Sequence, residues 1–241
     1  MRDRATENRL LQVKYNQCVA IRDTLSDYLA QVEYVSSSNL RSVYLSTERR
    51  SNKIPRRSLL GAIFHRLVLE ESDGFNLDMA EINDGCTNHR VSQPELQNIK
   101  GARDKLKQWS NKLFCDWIDM GSTETSIYWR DDSGHSWRAR PDLIVGDLVI
   151  DLKTFSGKNQ KSFLKNQSRN GFLIQAGHYL DGLKYLDDRP YRFAFLCIDL
   201  TAPFRIRFDV LDTSQIVLAK ELLFQAKKTY FQKILSVSGS Y

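Results

Sequence analysis

Cysteine is scarce in this 241-residue chain, and its four residues, Cys18, Cys86, Cys115 and Cys197, form no C-x-x-C pair. Structural zinc sites and disulfide frameworks both need clustered or paired thiols, so neither is expected. The spacing also lacks the carboxy-terminal cysteine cluster of an iron–sulfur nuclease. No window approaches the roughly 18 uncharged apolar residues that a membrane span requires. The first residues, MRDRATENRLLQVKYNQ, carry no apolar signal-peptide core either. A cytoplasmic protein with no membrane partner is the expectation. Internal repeats and long low-complexity tracts are absent as well.

What remains is a soluble, globular balance, with 41% hydrophobic and 27% charged residues. The length suits a single domain over 1–241, divided into a helical N-terminal elaboration (1–57) and a core (58–235). A formal charge of +6 and a pI near 9.1 are compatible with a polyanionic partner, although an ordinary basic surface gives the same numbers.

Apolar residues recur at helical spacing over 5–34 (Leu10, Val13, Val19, Ile21, Leu25, Leu29, Val32), which predicts a helix there. Ser36 to Asn39 offers caps for a short helix through Leu40, Val43 and Tyr44. The stretch 47–57, with Arg49, Arg50, Lys53, Arg56 and Arg57 around Pro55, reads as a basic loop, and 58–70 as a buried helix. Residues 71–92 give loop signals, and a helical period returns from Pro94 to Trp117. Short β-prone runs follow at 124–129, 136–140, 143–145 and 148–150, broken by turns at 131–134 and 146–147. A Lys-rich connection (157–170) leads to a helix from Phe172 to Tyr185, strands at 191–200 and 204–210, and a closing helix over 212–235. The tail 236–241 is expected to fray. Helices, a strand meander, a helix and further strands describe an α/β fold whose mixed central sheet is flanked by helices.

The chemistry concentrates in Arg140-Pro141-Asp142 and Val149-Ile150-Asp151-Leu152-Lys153-Thr154. Alternation along a strand puts Asp151 and Lys153 on one face, with Leu152 turned to the core. Asp142 lies a hairpin's distance upstream, so antiparallel pairing would set its carboxylate beside that of Asp151. Two converging carboxylates and the Leu152 carbonyl make an all-oxygen site suited to Mg²⁺ or Mn²⁺. Such an ion activates water and stabilises charge on a phosphorane-like transition state, while Lys153 could position or deprotonate that water or stabilise the developing charge. A bare D-x-K is usually an exposed ion pair. Here it ends an apolar run, where buried charges need a partner.

R-P-D-L-I-V-G, V-I-D-L-K-T and Q-A-G-H-Y (Gln175 to Tyr179), preceded by Gly61-x-x-x-His65 and Leu69-Glu70, resemble the RecB-type branch of the PD-(D/E)XK nucleases. The run S-L-L-G-A-I-F-H-R-L-V-L-E, with E-T-S-I-Y-W and R-P-D, is most similar to phage and prophage exonucleases of the RecE (exonuclease VIII) kind. The likeness covers roughly 36–200, with Asp151 in place of the commoner Glu. It implies a restriction-endonuclease-like core. It further implies His65, Asp142, Asp151 and the Leu152 carbonyl as metal ligands for Mg²⁺, with Mn²⁺ an alternative that imidazole favours. Lys153 is implied as the catalytic lysine, and Gln175 and Tyr179, one helical turn apart, as a brace or DNA contact. Taken without the resemblance, His65 reads as a satisfied core histidine.

Related nucleases often use an acidic residue near Glu124, but a solvated strand-end carboxylate is an equal reading. Glu70 points elsewhere on its helix, and His89, His135 and His178 read as surface or structural. Arg140, Lys165 and Arg169 are candidate DNA contacts, with the cluster Lys158 and Lys161 and the basic loop nearby. Phe155, Phe163 and Trp137 could stack on a separated strand but more often fill a core or its rim. The resemblance implies a metal-dependent 5′–3′ exodeoxyribonuclease acting on double-stranded DNA ends. A phage-type recombination setting in a bacterial host, a single-strand annealing recombinase as partner and a ring-shaped homo-oligomer come with it. A structure- or site-specific endonuclease on the same core, or a nuclease-dead DNA-binding module, stays open.

Overall fold

The computed structural model of the protein describes residues 18–45, 56–69, 81–83, 88–155 and 171–238. The chain begins with β1 (Cys18–Ile21), α1 (Leu25–Ala30), β2 (Val35–Ser36) and α2 (Ser37–Tyr44). Next come α3 (Arg56–Leu69), the hairpin β3 (Glu81–Asn83) and β4 (Asn88–Arg90), α4 (Gln93–Lys107) and α5 (Leu113–Met120). Strands β5 (Ser122–Thr123), β6 (Ser126–Arg130), β7 (Ser136–Ala139), β8 (Leu143–Val145) and β9 (Leu148–Phe155) form the middle. The chain closes with α6 (Phe172–Leu186), β10 (Arg192–Asp199), β11 (Ile206–Val210) and α7 (Thr213–Ser238).

The strands build the expected mixed central sheet, a second, smaller mixed sheet and the separate β3–β4 hairpin. Five strands run in the order β11-β10-β9-β8-β5, with only β9 and β10 parallel. Four more run β1-β6-β7-β2, with β2 and β7 parallel. Strand alternation divides the five-stranded sheet between two cores. Phe193, Phe195 and Cys197 of β10 join Trp129 and Trp137 of the smaller sheet and residues of α6 and α7, such as Leu183 and Leu223. Ala194, Leu196 and Ile198 face the other way, onto Leu59, Ile63 and Phe64 of α3 and Ile99 and Leu106 of α4. Ile150 and Leu152 belong to this second core, so Asp151 between them turns to the α6 side. No helix among the described residues is long and apolar enough to cross a membrane.

Two expected helices change form. Among the described residues of 5–34, Cys18–Ile21 is a strand antiparallel to β6, pairing Cys18 with Trp129, and the helix there covers Leu25–Ala30. Cys18 and Ala20 are buried on alternate positions, and Leu25 and Leu29 are exposed, so pairing with a sheet partner overrides the helical spacing. The helix expected from Pro94 to Trp117 breaks at Ser110, Asn111 and Lys112, whose φ values are 47°, 56° and 71°. Left-handed residues cannot continue a right-handed helix. The turn lets Trp117 of α5 pack 5.9 Å from Trp109, with Phe208 5.1 Å from Trp117. The short helix α2 forms as its caps predict, with Ser36 and Asn39 bonding each other's backbone N–H.

Candidate active site

The β8–β9 hairpin sets the site. Its register pairs Leu143 with Ile150, which puts Asp142 opposite Asp151 just beyond the strand end. The Leu152 N–H donates to Asp142 Oδ2 at 2.6 Å, so a backbone group on β9 fixes the first carboxylate. The second, Asp151, is fully buried, and its Oδ1 accepts from Gln175 Nε2 at 2.7 Å. Lys153 Nζ lies 2.5 Å from Asp151 Oδ2, yet that oxygen receives no aligned hydrogen bond among the described residues.

Helix α6 supplies the brace. Gln175 Oε1 accepts from Lys153 Nζ at 3.1 Å and from Arg41 Nη1 of α2 at 3.4 Å. The second Nε2 hydrogen of Gln175 goes to Tyr179 Oη at 3.0 Å, and that hydroxyl donates to the Arg140 carbonyl at 3.2 Å. One amide thus orients both the carboxylate and the lysine, and the hydroxyl one turn away ties it to the R-P-D segment.

Helix α3 approaches from the opposite face of the sheet. A Cβ on Gly61 would stand 2.6 Å from Thr154 Oγ1, so a side chain there would force Thr154 or the helix to shift. One turn later His65 Nδ1 comes to 3.6 Å from Asp142 Oδ2. Glu124 holds a left-handed backbone with φ 49°, and its N–H donates to the Asp142 carbonyl at 3.1 Å. His65, Glu124 and Asp142 each offer a ligand atom, and these atoms all lie within 4.8 Å of one another.

The electrostatics favour a cation among these carboxylates. Burial pushes the Asp151 carboxyl up to about 6, with Lys153 opposing and Asp142 adding to the rise. Burial and the neighbouring Asp142 push Glu124 up to about 7 against the pull of Arg140. Burial also acts to raise Asp142, but His65, Lys153 and the Leu152 N–H outweigh it and hold the group below its usual value. The His65 imidazole is raised, because attraction to Asp142 overcomes its desolvation. Crowded carboxylates resist ionising together unless a cation joins them. The mixed N/O donor set suits Mg²⁺ or, with its imidazole, Mn²⁺.

Asp142, Asp151, Lys153, Gln175, Tyr179 and His65 therefore converge. The three-atom cluster contains Glu124 where the sequence pattern suggests Asp151, whose carboxylate is drawn instead to Lys153 and Gln175. Leu152 places its N–H on Asp142 and its side chain in the core. Arg140 corrects an expectation. Its side chain is 8% exposed and its donors go to Glu124, Asp23 and Ser126, so it does not face DNA. Trp137, fully buried, is likewise core, and so is His178. Lys165 and Arg169, with Lys158, Lys161, Phe163, Glu70 and the basic loop from Arg49 to Lys53, lie outside the described residues. Arg41 and Asp23 went unnoticed in the sequence, because an arginine on a short capped helix and an aspartate before a cap carry no motif.

Residues 45–233 match a family described as a PDDEXK-like domain of unknown function. The chain belongs to that family. No curated protein matches it. Among solved structures, the PDDEXK-like chain is similar to a "Putative exonuclease" from Eubacterium rectale, with 14% identity and a TM-score of 0.63 over 88% of this chain and 87% of that one. At this identity the likeness speaks for the fold, which is that of the restriction-endonuclease-like PDDEXK proteins. The domain is thus of a nuclease type, and segment 18–44, with β1 and α2, precedes the matched part.

Proposed function

We propose that the protein is a divalent-metal-dependent exodeoxyribonuclease that hydrolyses double-stranded DNA from its ends in the 5′–3′ direction. The observation that carries the reading is the pairing of Asp142 with Asp151 across β8 and β9, with Lys153 on the Asp151 face and His65 and Glu124 beside Asp142. His65, Glu124 and Asp142 would hold the ion, joined by Asp151, whose Oδ2 stands beside the Lys153 ammonium, and by the Leu152 carbonyl. A bound Mg²⁺ or Mn²⁺ supplies an acidified water and neutralises charge on the phosphate.

The chain's own groups do the rest. His65 and Lys153 keep Asp142 ionised, and the Leu152 N–H helps and aims it. Gln175 holds Asp151 and Lys153 together, so the Lys153 ammonium stays at the reacting phosphate's edge of the site. There it orients the attacking water and stabilises negative charge as the P–O bond breaks. Tyr179, buried and with its phenol raised well above the ordinary range by burial and by nearby Asp151, stays neutral, accepting from the Gln175 amide and donating to the Arg140 carbonyl. The likeness to RecE-type exonucleases further supports a role in phage-type recombination, with an annealing recombinase as partner and a ring-shaped homo-oligomer on DNA.

The test is degradation of linear duplex DNA, labelled at its 5′ or 3′ end, beside a covalently closed circle with Mg²⁺ or Mn²⁺. The reading expects linear DNA alone to be degraded, with early release of the 5′ label. Cutting of the closed circle would replace it with an endonuclease on the same core.

A further inference from the structure

We infer that Arg140, backed by Asp23, is a positioning residue that fixes Glu124 at the metal-binding cluster. This rests on the reading above that Glu124 is a ligand there. Arg140 stands two residues before Asp142, so one short segment carries a ligand and the clamp for another. Its Nε donates to Glu124 Oε2 at 2.7 Å. Its Nη1 donates to Asp23 Oδ1 and to Ser126 Oγ, both at 2.6 Å, and its Nη2 to the Asp23 carbonyl at 3.1 Å. The guanidinium fork thus spans two carboxylates, a task its rigid planar donors suit and a lysine ammonium does not.

Asp23 is in turn saturated. Besides Arg140, it accepts from Ser126 Oγ and, on Oδ2, from Tyr128 Oη at 2.6 Å. With both oxygens occupied, Asp23 is an anchor for the arginine and no competitor for a cation. Glu124 differs. It sits in a backbone region that side-chain-bearing residues seldom adopt, held by its N–H on the Asp142 carbonyl and by Arg140. A residue in such a conformation keeps its aim only while its surroundings impose it.

The anchor comes from outside the matched part of the chain. Asp23 follows β1, which pairs Ile21 with Ser126 on β6. The N-terminal strand therefore reaches the cluster through Asp23, Arg140 and Glu124, and its pairing is linked to how well the site holds a cation. Groups that orient metal ligands from outside typically alter affinity on the order of 10–100-fold when changed.

The experiment is Mn²⁺ binding to the full chain, read by electron paramagnetic resonance, in a double-mutant cycle of Glu124→Gln and Arg140→Lys, with thermal melting of each variant. Asp142→Asn serves as the ligand control. Arg140→Lys is expected to weaken Mn²⁺ on the order of tenfold in the wild-type background and to change it little in the Glu124→Gln background. Equal weakening in both backgrounds, or none in either while Glu124→Gln binds weakly, overturns the inference and leaves the proposed function standing. If Glu124→Gln binds Mn²⁺ as tightly as wild type while Asp142→Asn does not, Glu124 is no ligand and the inference falls alone. Binding indifferent to Asp142→Asn as well sinks the metal site itself. Should Arg140→Lys melt below the assay temperature, Tyr128→Phe, which removes one donor to Asp23, repeats the cycle with a smaller expected loss.

Discussion

Two histidines, on helices that cover opposite faces of the five-stranded sheet, meet opposite surroundings. His65 on α3 keeps 26% of its side-chain exposure and faces Asp142, which raises its proton affinity. His178 on α6 is sealed, with Trp129 4.9 Å and Trp137 5.8 Å away, centroid to centroid. Its Nε2 stands 2.9 Å from the Arg138 carbonyl, so the neutral ring donates there, and its Nδ1 has no partner among the described residues. Burial pushes its pKa down to about 4, helped by Lys227 and opposed by the Arg138 carbonyl and Asp181. The contrast separates two jobs. A histidine beside crowded carboxylates can serve a cation, whereas one between indole rings serves only packing.

The contrast is broken or sharpened first by metal binding. His65→Ala is expected to weaken Mn²⁺ on the order of tenfold or more, as loss of a ligand exceeds loss of a supporting group. His178→Gln should leave the affinity unchanged. Titration calorimetry on both variants checks this, and equal losses would erase the distinction.

Acid stability gives a second separation. The folded pKa of His178 lies below the value near 6.5 of the unfolded chain, so between these the unfolded state binds more protons. Its contribution is complete above about pH 6.5 and fades as pH falls toward 4, by roughly 3 kcal/mol at most. Denaturant midpoints against pH should show a shallower acid slope for His178→Gln than for wild type. Identical slopes would mean that His178 is not held neutral.

A third set of effects concerns close packing. Gly61→Ala sets a Cβ against Thr154, and Gly182→Ala sets one 2.7 Å from the Trp129 ring. Each should cost about 1–3 kcal/mol of stability. Only Gly61→Ala should also weaken Mn²⁺, because His65 rides on the same helix one turn on. Melting temperatures paired with affinities would reveal a metal effect from Gly182→Ala if the two faces are coupled.

The part of the site legible in the sequence is the part that strand geometry dictates. Asp142, Asp151 and Lys153 lie on a hairpin, where alternation and register follow from local spacing alone. Gln175 and Tyr179 were legible only through the resemblance to the Q-x-x-x-Y helix of RecB-type nucleases, which their placement one turn apart on one helix fits. Glu124 remained ambiguous because its approach depends on a left-handed residue and on a partner, Arg140, sixteen positions away. That same bond explains why Arg140 read as a DNA contact, since sequence does not show which arginines are already paired. The N-terminal strand was misread because Val19 and Ile21 fit a helical period equally well, and only β6 decides between them. The helix over 172–186 and the strand over 192–199 emerged nearly as expected, since both are long, apolar and strongly patterned.

The most direct measurement is hydrolysis of a linear duplex by wild type, Asp142→Asn and Lys153→Ala, each with and without Mg²⁺ or Mn²⁺. The account predicts cleavage by wild type only with metal, a rate loss on the order of 10²–10⁴-fold for Lys153→Ala, and loss of both cleavage and Mn²⁺ binding for Asp142→Asn. Metal-dependent cleavage that survives both substitutions would place the chemistry elsewhere and contradict it.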